Sequence, residues 1–322
     1  MVLILTSPGD LSTDLVIDWL RFYKHPFYRL NSSDLIEKQF FYDINNRIIT
    51  IDNQILELDK INIIWYRKFA FFSNSEFHEK AQNIIDLNYL DLLSIEFSTI
   101  LRTFSASISE KKWLTNPKNI YLNKVEVLQK AKEEGLDIPA SFLVNRKNDL
   151  EKIDKQLITK SIFEAAFLKE PDGLYSMLTK EIFKESIYTE VPSEFFTSLV
   201  QETIDKEYEL RVFLLDNKFY SMAIFSQLDE RTKVDFRNYN HEKPNQNVPY
   251  QLPKKIERKL LNLTKRLGLN CCSIDIIKGK NGVYYFLEIN PVGQFGMVSI
   301  PCNYHLHEKV AKHLIKQDKK NE

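Results

Sequence analysis

Glycine is scarce in this chain, 8 residues among 322, and none is arranged as GxGxxG or GxxxxGK[ST]. That excludes a dinucleotide-binding Rossmann turn and a Walker-type phosphate loop. Cysteine is scarcer still: Cys271, Cys272 and Cys302 are the whole set. An adjacent pair and one distant residue fit neither a disulfide framework nor zinc-ligand spacing, so all three are expected as core thiols. Net charge is missing too, with 44 basic and 44 acidic side chains. A polybasic nucleic-acid or membrane surface is thereby excluded, and any anion site must be local. No segment approaches the ~20 apolar residues of a membrane span. The opening MVLILTSPGD lacks a basic stretch, and its apolar run is too short for a signal peptide, so a cytoplasmic location is expected. Internal repeats and low-complexity tracts are absent.

What is present describes an ordinary folded chain, 43% hydrophobic and 27% charged, long enough for two or three cores. Val2–Leu5, Phe27–Leu30 and Ile61–Trp65 read as strands, and Asp14–Tyr23 has helical spacing. Gln39–Tyr42, Arg47–Ile51 and Gln54–Leu58 read as short strands joined by Asn-rich turns, and Glu76–Ser105 as one or two helices. Residues 1–115 are thus expected to form a small α/β domain. Asn116-Pro117 is a boundary signal. Asn123 is placed to cap a helix, with Glu126 completing an N-x-x-E box and Gly135 ending it. Ser141–Val144, Leu157–Ser161 and Ser198–Ile204 are strand candidates, with a polar helical segment at Asn148–Lys155. Tyr208–Leu215 and Lys218–Phe225 flank Asp216-Asn217 as a hairpin. Gln227–Gln251 lacks periodicity and reads as a long functional loop. Lys254–Leu267 is a helix closed by Gly268, Leu306–Lys316 is a terminal helix, and Gln317–Glu322 is expected to fray.

The chemistry concentrates in Cys271–Asn290, CCSIDIIKGKNGVYYFLEIN. Asn281-Gly282 between two β-rich runs is a hairpin signal, because both positions of a type I′ turn need positive φ. A two-residue turn there sets Asp275 opposite Glu288, with Asn290 on the same face. Facing carboxylates repel, so a cation should lie between them. An oxygen-only set of two carboxylates and an amide suits Mg²⁺ completed by water and phosphate. An ordinary solvated hairpin with acidic residues is the competing interpretation.

Other residues carry two readings each. Lys124, near the start of the Asn123-capped helix, and Lys160, ending a strand-like run, are either solvated lysines or phosphate point charges. Glu202 ends an apolar strand and Glu209 begins the next, and Thr203–Lys206 between them is either a plain connection or backbone that reads a purine edge. Glu209 and Arg211 share one strand face opposite Leu210, Val212 and Leu214, as an intrastrand pair or as site residues. Asp235 and Arg237 are loop charges or site residues. His305 and His307 lack a third ligand and read as a surface pair rather than zinc ligands. No arrangement of serine, histidine and aspartate suggests a nucleophilic hydrolase.

Taken in order, Lys124, Lys160, Gln201-Glu202, Glu209-Leu210-Arg211, Asp275 and Glu288-Ile289-Asn290 resemble the ATP-grasp superfamily of carboxylate ligases, over about residues 116–315. The resemblance implies an α/β (α+β) ATP-grasp fold in three parts: an N-terminal pre-ATP-grasp domain (1–115), a central subdomain (116–200) and a C-terminal subdomain (201–322). ATP would lie between the last two. It further implies that Lys124 and Lys160 bind nucleotide, Gln201–Ile204 hold adenine and Glu209 takes the ribose. Asp275, Glu288 and Asn290 would hold Mg²⁺, with Glu288 bridging two ions. Phe163–Gly173 departs from the pattern, being poor in glycine where a phosphate-covering loop belongs.

Trp65-Tyr66-Arg67-Lys68, Trp113, Asn116-Pro117, Ile138-Pro139 and Asp235-Phe236-Arg237 narrow the resemblance to the microviridin and grasp-with-spasm peptide maturases. These enzymes close side-chain ester or amide rings in ribosomal precursor peptides. The resemblance then implies a precursor partner with leader and core, and for such chemistry Arg211 and Arg237 are the candidates to hold an acyl phosphate and Asp235 the candidate proton acceptor. The leader is expected near the Tyr208–Phe225 hairpin; neither nucleic acid nor membrane is implied, and a homodimer is compatible. The alternatives are an intermolecular amino-acid ligase of the ribosomal-glutamate-ligase kind, a non-catalytic ATP-binding regulator, and an α/β binding protein without nucleotide.

Overall fold

A computed structural model describes residues 1–69, 72–163, 167–170, 173–176, 179–227, 242 and 244–319. Its N-terminal sheet is parallel, in the order Phe27–Asn31, Val2–Thr6, Ile63–Tyr66, Lys112–Leu114. The strand Val2–Thr6 is buried on both faces, as its unbroken apolar run requires. One face packs on the helix Leu11–Phe22 and the other on the helix Leu87–Ser107 and a three-stranded antiparallel meander, Phe40–Asp43, Ile48–Ile51 and Gln54–Glu57. The strand expected over Gln54–Leu58 stops at Glu57, because Leu58–Lys60 turns as a 3₁₀ helix that buries Leu58.

Two antiparallel sheets follow. The first runs Lys180–Ile182, Leu157–Lys160, Glu194–Glu202, Ser141–Arg146. The second runs Gln246–Tyr250, Lys218–Phe225, Lys206–Leu215, Cys271–Gly279, Tyr284–Asn290. Each strand of the second sheet has one face in a core with the helices Lys124–Glu133 and Lys254–Arg266, carried by Leu210, Val212, Leu214, Ile274 and Ile276. Along Lys206–Leu215 the opposite face reads Glu209, Arg211, Phe213, Leu215. Its apolar half, Phe213 and Leu215, packs into one core with the N-terminal sheet and the terminal helix Leu306–Lys319. Its charged half is left for a cleft.

Caps fall where their chemistry predicts. Asn123 accepts hydrogen bonds from the Val125 and Glu126 amides, and Gly135 and Gly268 hold positive φ after their helices. The polar helix expected over Asn148–Lys155 spans only Lys147–Glu151. Five residues of the expected loop, Gln246–Tyr250, form an edge strand. The terminal helix continues to Lys319 instead of fraying at 317, since Asp318 accepts from the Met1 ammonium and pairs with His25, both at 2.7 Å. His307 is buried, unlike His305, so the two are not a surface pair. All three cysteines are buried and free, and burial pushes the Cys271 and Cys302 thiols up to about 11. Among the described residues no helix is long and apolar enough to cross a membrane.

Candidate active site

The Cys271–Asn290 hairpin pairs Asp275 with Glu288 and Ser273 with Asn290, as expected, but by a different route. The turn is not the two-residue Asn281-Gly282. Gly279 and Val283 close it, Gly282 alone takes the positive φ of 83°, and the Asn281 side chain accepts from the Val283 amide. This longer loop moves the register by one residue. A bulge then restores it: Ile276 pairs with Phe286 and Asp275 with Glu288, leaving Leu287 as the extra residue. Phe286 and Ile289, three apart, can therefore both enter the core, while Leu287 and Glu288 both line the cleft.

The cleft has a volume of about 400 Å³ and lies between the two antiparallel sheets. Lys160 lines it from the strand Leu157–Lys160. Gln201, Glu202, Thr203 and Ile204 form one wall together with Asp205 and Lys206. Glu209, Asp275 and Glu288 come from three adjacent strands of the second sheet. Lys124 arrives from its helix start, with Nζ 3.7 Å from Glu288 Oε2 and donating to the Ser161 carbonyl at 3.2 Å. A larger cavity, about 550 Å³, lies beside the helix Leu87–Ser107, but no carboxylate lines it among the described residues.

The charges inside the cleft pair both across strands and along one strand. Arg211 Nη1 lies 2.5 Å from Asp275 Oδ2, its partner on the neighbouring strand, and Glu209 accepts from Lys206 at 2.6 Å and Ser226 at 3.0 Å. The intrastrand Glu209–Arg211 pair is thus replaced by two separate pairs. Glu202 is bound by Lys155 at 2.7 Å, and its backbone amide donates to the Ala140 carbonyl. The Thr203 amide donates to the Gln156 carbonyl. Gln201 Oε1 and Thr203 Oγ1 are buried without a hydrogen-bond partner among the described residues, so this wall keeps polar capacity for a ligand.

Asp275, Glu288 and Asn290 share one face of the hairpin: the two carboxylates line the cleft, and the exposed Asn290 follows Glu288 by two residues. No group of three His, Cys, Asp or Glu side chains is arranged as a metal cage among the described residues. Asp275, Glu288 and the Asn290 amide are nonetheless oxygen donors of the kind Mg²⁺ takes, commonly one or two carboxylates completed by water and phosphate oxygens. The cations Arg211 and Lys124 stand beside the same carboxylates.

Asp235 and Arg237 lie outside the described residues, as does most of the Gln227–Gln251 loop. The Tyr208–Phe225 hairpin offers no sheet edge for a leader, since both of its strands are interior to the five-stranded sheet. Lys206, Ser226, Lys155 and Leu287 were not singled out from the sequence. A lysine three residues before Glu209 was a visible signal, whereas Leu287 required knowledge of the bulge.

A family model, the RimK-like ATP-grasp domain, matches residues 122–314. No curated protein sequence matches the chain. Solved structures share its fold along its length. Macrocyclase MdnC from Microcystis aeruginosa MRC, bound with precursor peptide MdnA, is 24% identical with a TM-score of 0.82, covering 98% of this chain and 100% of that one. A Chryseobacterium gregarium RiPP-associated ATP-grasp ligase, in complex with ADP and a leader and core peptide, is 21% identical at 0.85, covering 100% and 97%. ATP-grasp ligase PsnB, complexed with minimal precursor, Mg and ADP, is 17% identical at 0.80, covering 98% and 97%.

Proposed function

The chain belongs to the RimK-like ATP-grasp family, and from that membership we propose that it is an ATP-dependent peptide macrocyclase. Its substrate would be a ribosomal precursor peptide with leader and core. It would phosphorylate Asp or Glu side chains of that peptide and join them to Thr or Ser hydroxyls as esters, or to Lys amines as amides, releasing ADP and phosphate. The observation that carries this is the facing pair Asp275 and Glu288, with Lys124 beside Glu288, at a cleft between two sheets. Likeness to three peptide-bound ligases over nearly the whole chain supports a peptide as substrate.

In this proposal Gln201, Glu202, Thr203 and Ile204 hold adenine and Glu209 takes the ribose hydroxyls. Lys124 and Lys160 neutralise phosphate oxygens. Asp275, Glu288 and Asn290 would hold magnesium, which would supply charge neutralisation at the transferring phosphoryl group. A substrate carboxylate attacks the γ-phosphate of ATP, the β–γ bridging bond breaks, and ADP leaves with that electron pair. A hydroxyl or amine of the same peptide then attacks the acyl phosphate, and inorganic phosphate departs. Arg211 and Arg237 bind the acyl phosphate through paired guanidinium contacts, and Asp235 accepts the nucleophile's proton. Positioning and charge neutralisation supply most of the acceleration.

The test is to incubate the chain with Mg²⁺, ATP, free glutamate and any small Thr-, Asp- and Glu-rich peptide found encoded beside its gene. Macrocyclisation gives ADP, phosphate and loss of one water per ring by mass spectrometry. The RimK-like family match favours one second reading, an intermolecular amino-acid ligase. In that case peptide mass rises by an added residue. An unchanged peptide mass and no phosphate release would sink both.

A further inference from the structure

Arg67, from the Trp65-Tyr66-Arg67-Lys68 segment, has no role in the chemistry above, yet it is 2% exposed at the end of an N-terminal strand. Its Nη1 donates to two carbonyls of the loop after the Glu288-Ile289-Asn290 strand, Val292 at 3.1 Å and Gly293 at 3.3 Å. Those same two residues hold Asn290. The Val292 amide donates to Asn290 Oδ1 at 3.1 Å, and the Gly293 amide donates to the Asn290 carbonyl at 3.2 Å. Each thus gives its N–H to Asn290 and its C=O to Arg67.

The guanidinium is itself fixed. Nε lies 3.3 Å from Asp10 Oδ2, and Asp10 accepts from Thr13 Oγ1 at 2.5 Å. The ring of Trp65 lies 5.6 Å from the guanidinium carbon, and that of Phe295 lies at the same distance. Burial raises the Asp10 carboxyl, but Arg67, Thr13 and Lys68 outweigh it, so Asp10 stays below the ordinary carboxylate range and charged. At Gly293 a side chain is excluded, since a Cβ would fall 2.5 Å from Ser273 Cβ. The turn is therefore packed on one side by Ser273 and tied on the other by Arg67.

We propose that Arg67 is a positioning residue for magnesium: by tying the Val292 and Gly293 carbonyls to the N-terminal sheet, it aims the Asn290 amide into the cleft. This rests on Asp275, Glu288 and Asn290 holding the ion. Lysine cannot substitute, because a point charge on a flexible stem cannot hold Asp10 and two carbonyls in one plane. Outer-shell partners of this kind are worth about 10–100-fold in metal affinity.

The experiment is calorimetric binding of a non-hydrolysable ATP analogue, with MgCl2 titrated from zero, for wild type, Arg67→Lys and the charge-free pair Asp10→Asn/Arg67→Leu. The pair covers the case in which a single change leaves Asp10 as a buried lone charge and blocks folding. The folded variants are expected to need about tenfold more Mg²⁺ for half-maximal coupling, with Mg²⁺-free nucleotide affinity unchanged. An unaltered Mg²⁺ requirement overturns the role of Arg67 while leaving the ATP site standing. Equal weakening with and without Mg²⁺ overturns it too, as a general structural effect. Wild type that binds no nucleotide in either condition removes the ATP-site assignment and this inference together.

Discussion

Arg211 and Asp275 face each other on adjacent strands, Nη1 2.5 Å from Oδ2, with both side chains about nine-tenths buried. A buried pair of this kind loses most when only one partner is removed. Arg211→Leu alone is expected to lower unfolding free energy by about 3 kcal/mol, and Arg211→Leu/Asp275→Leu by about 1 kcal/mol or less. Urea denaturation without nucleotide measures both. Equal losses would mean that the pair contributes through packing alone.

Glu288→Gln removes a charge but keeps the shape, and Glu288 is partly exposed at the cleft. Phosphate release should fall by about a hundredfold or more, since a direct ligand should matter at least as much as an outer-shell one. Circular dichroism and melting temperature should stay close to wild type. Retained turnover would remove Glu288 from the metal set.

Glu209 is held by Lys206 and Ser226 in a buried corner of the cleft. Glu209→Gln should weaken ATP-analogue affinity by about tenfold, the scale of a hydrogen bond to a charged group. Lys206→Met should do the same by releasing Glu209 from its place. Nucleotide affinity unchanged in both variants would argue that this corner does not touch the ribose.

Burial, with Arg67 nearby, holds the His307 imidazole below its ordinary value of 6.5. The unfolded chain then takes up that proton before the folded one as pH falls. His307 therefore contributes stability that is present above about pH 6.5 and lost on acidification through the folded value. Urea midpoints between pH 8 and pH 5 should fall less steeply for His307→Gln than for wild type. Parallel slopes would show that His307 titrates alike in both states.

The residues that carried the resemblance were legible because their types are dictated by chemistry. Asp275, Glu288 and Asn290 are oxygen-bearing side chains, the type a magnesium site would need, and Glu288 and Asn290 share a face because strands alternate. Helix ends were legible from Asn123, Gly135 and Gly268. What escaped was long-range. Nothing local says that Arg211 pairs with Asp275 rather than Glu209, or that Ser226 reaches Glu209, because strand neighbours decide that. Nor does local sequence say that Asp318 meets the Met1 ammonium across the whole chain. The Asp275–Glu288 register was reached through a turn that does not form, rescued by a bulge that alternation alone could not reveal.

That bulge also determines which ring or chain meets the ligand. A hairpin of identical length with a two-residue turn and unbroken pairing would keep Asp275 opposite Glu288. It would also swing the Phe286 ring, now fully buried, into the 400 Å³ cleft and send Leu287 to the core. Motif spacing is blind to the difference between these two hairpins. Length-preserving redesign of the Asn281-Gly282 turn, neither residue of which lines the cleft, is thus a handle on how much room a nucleotide has.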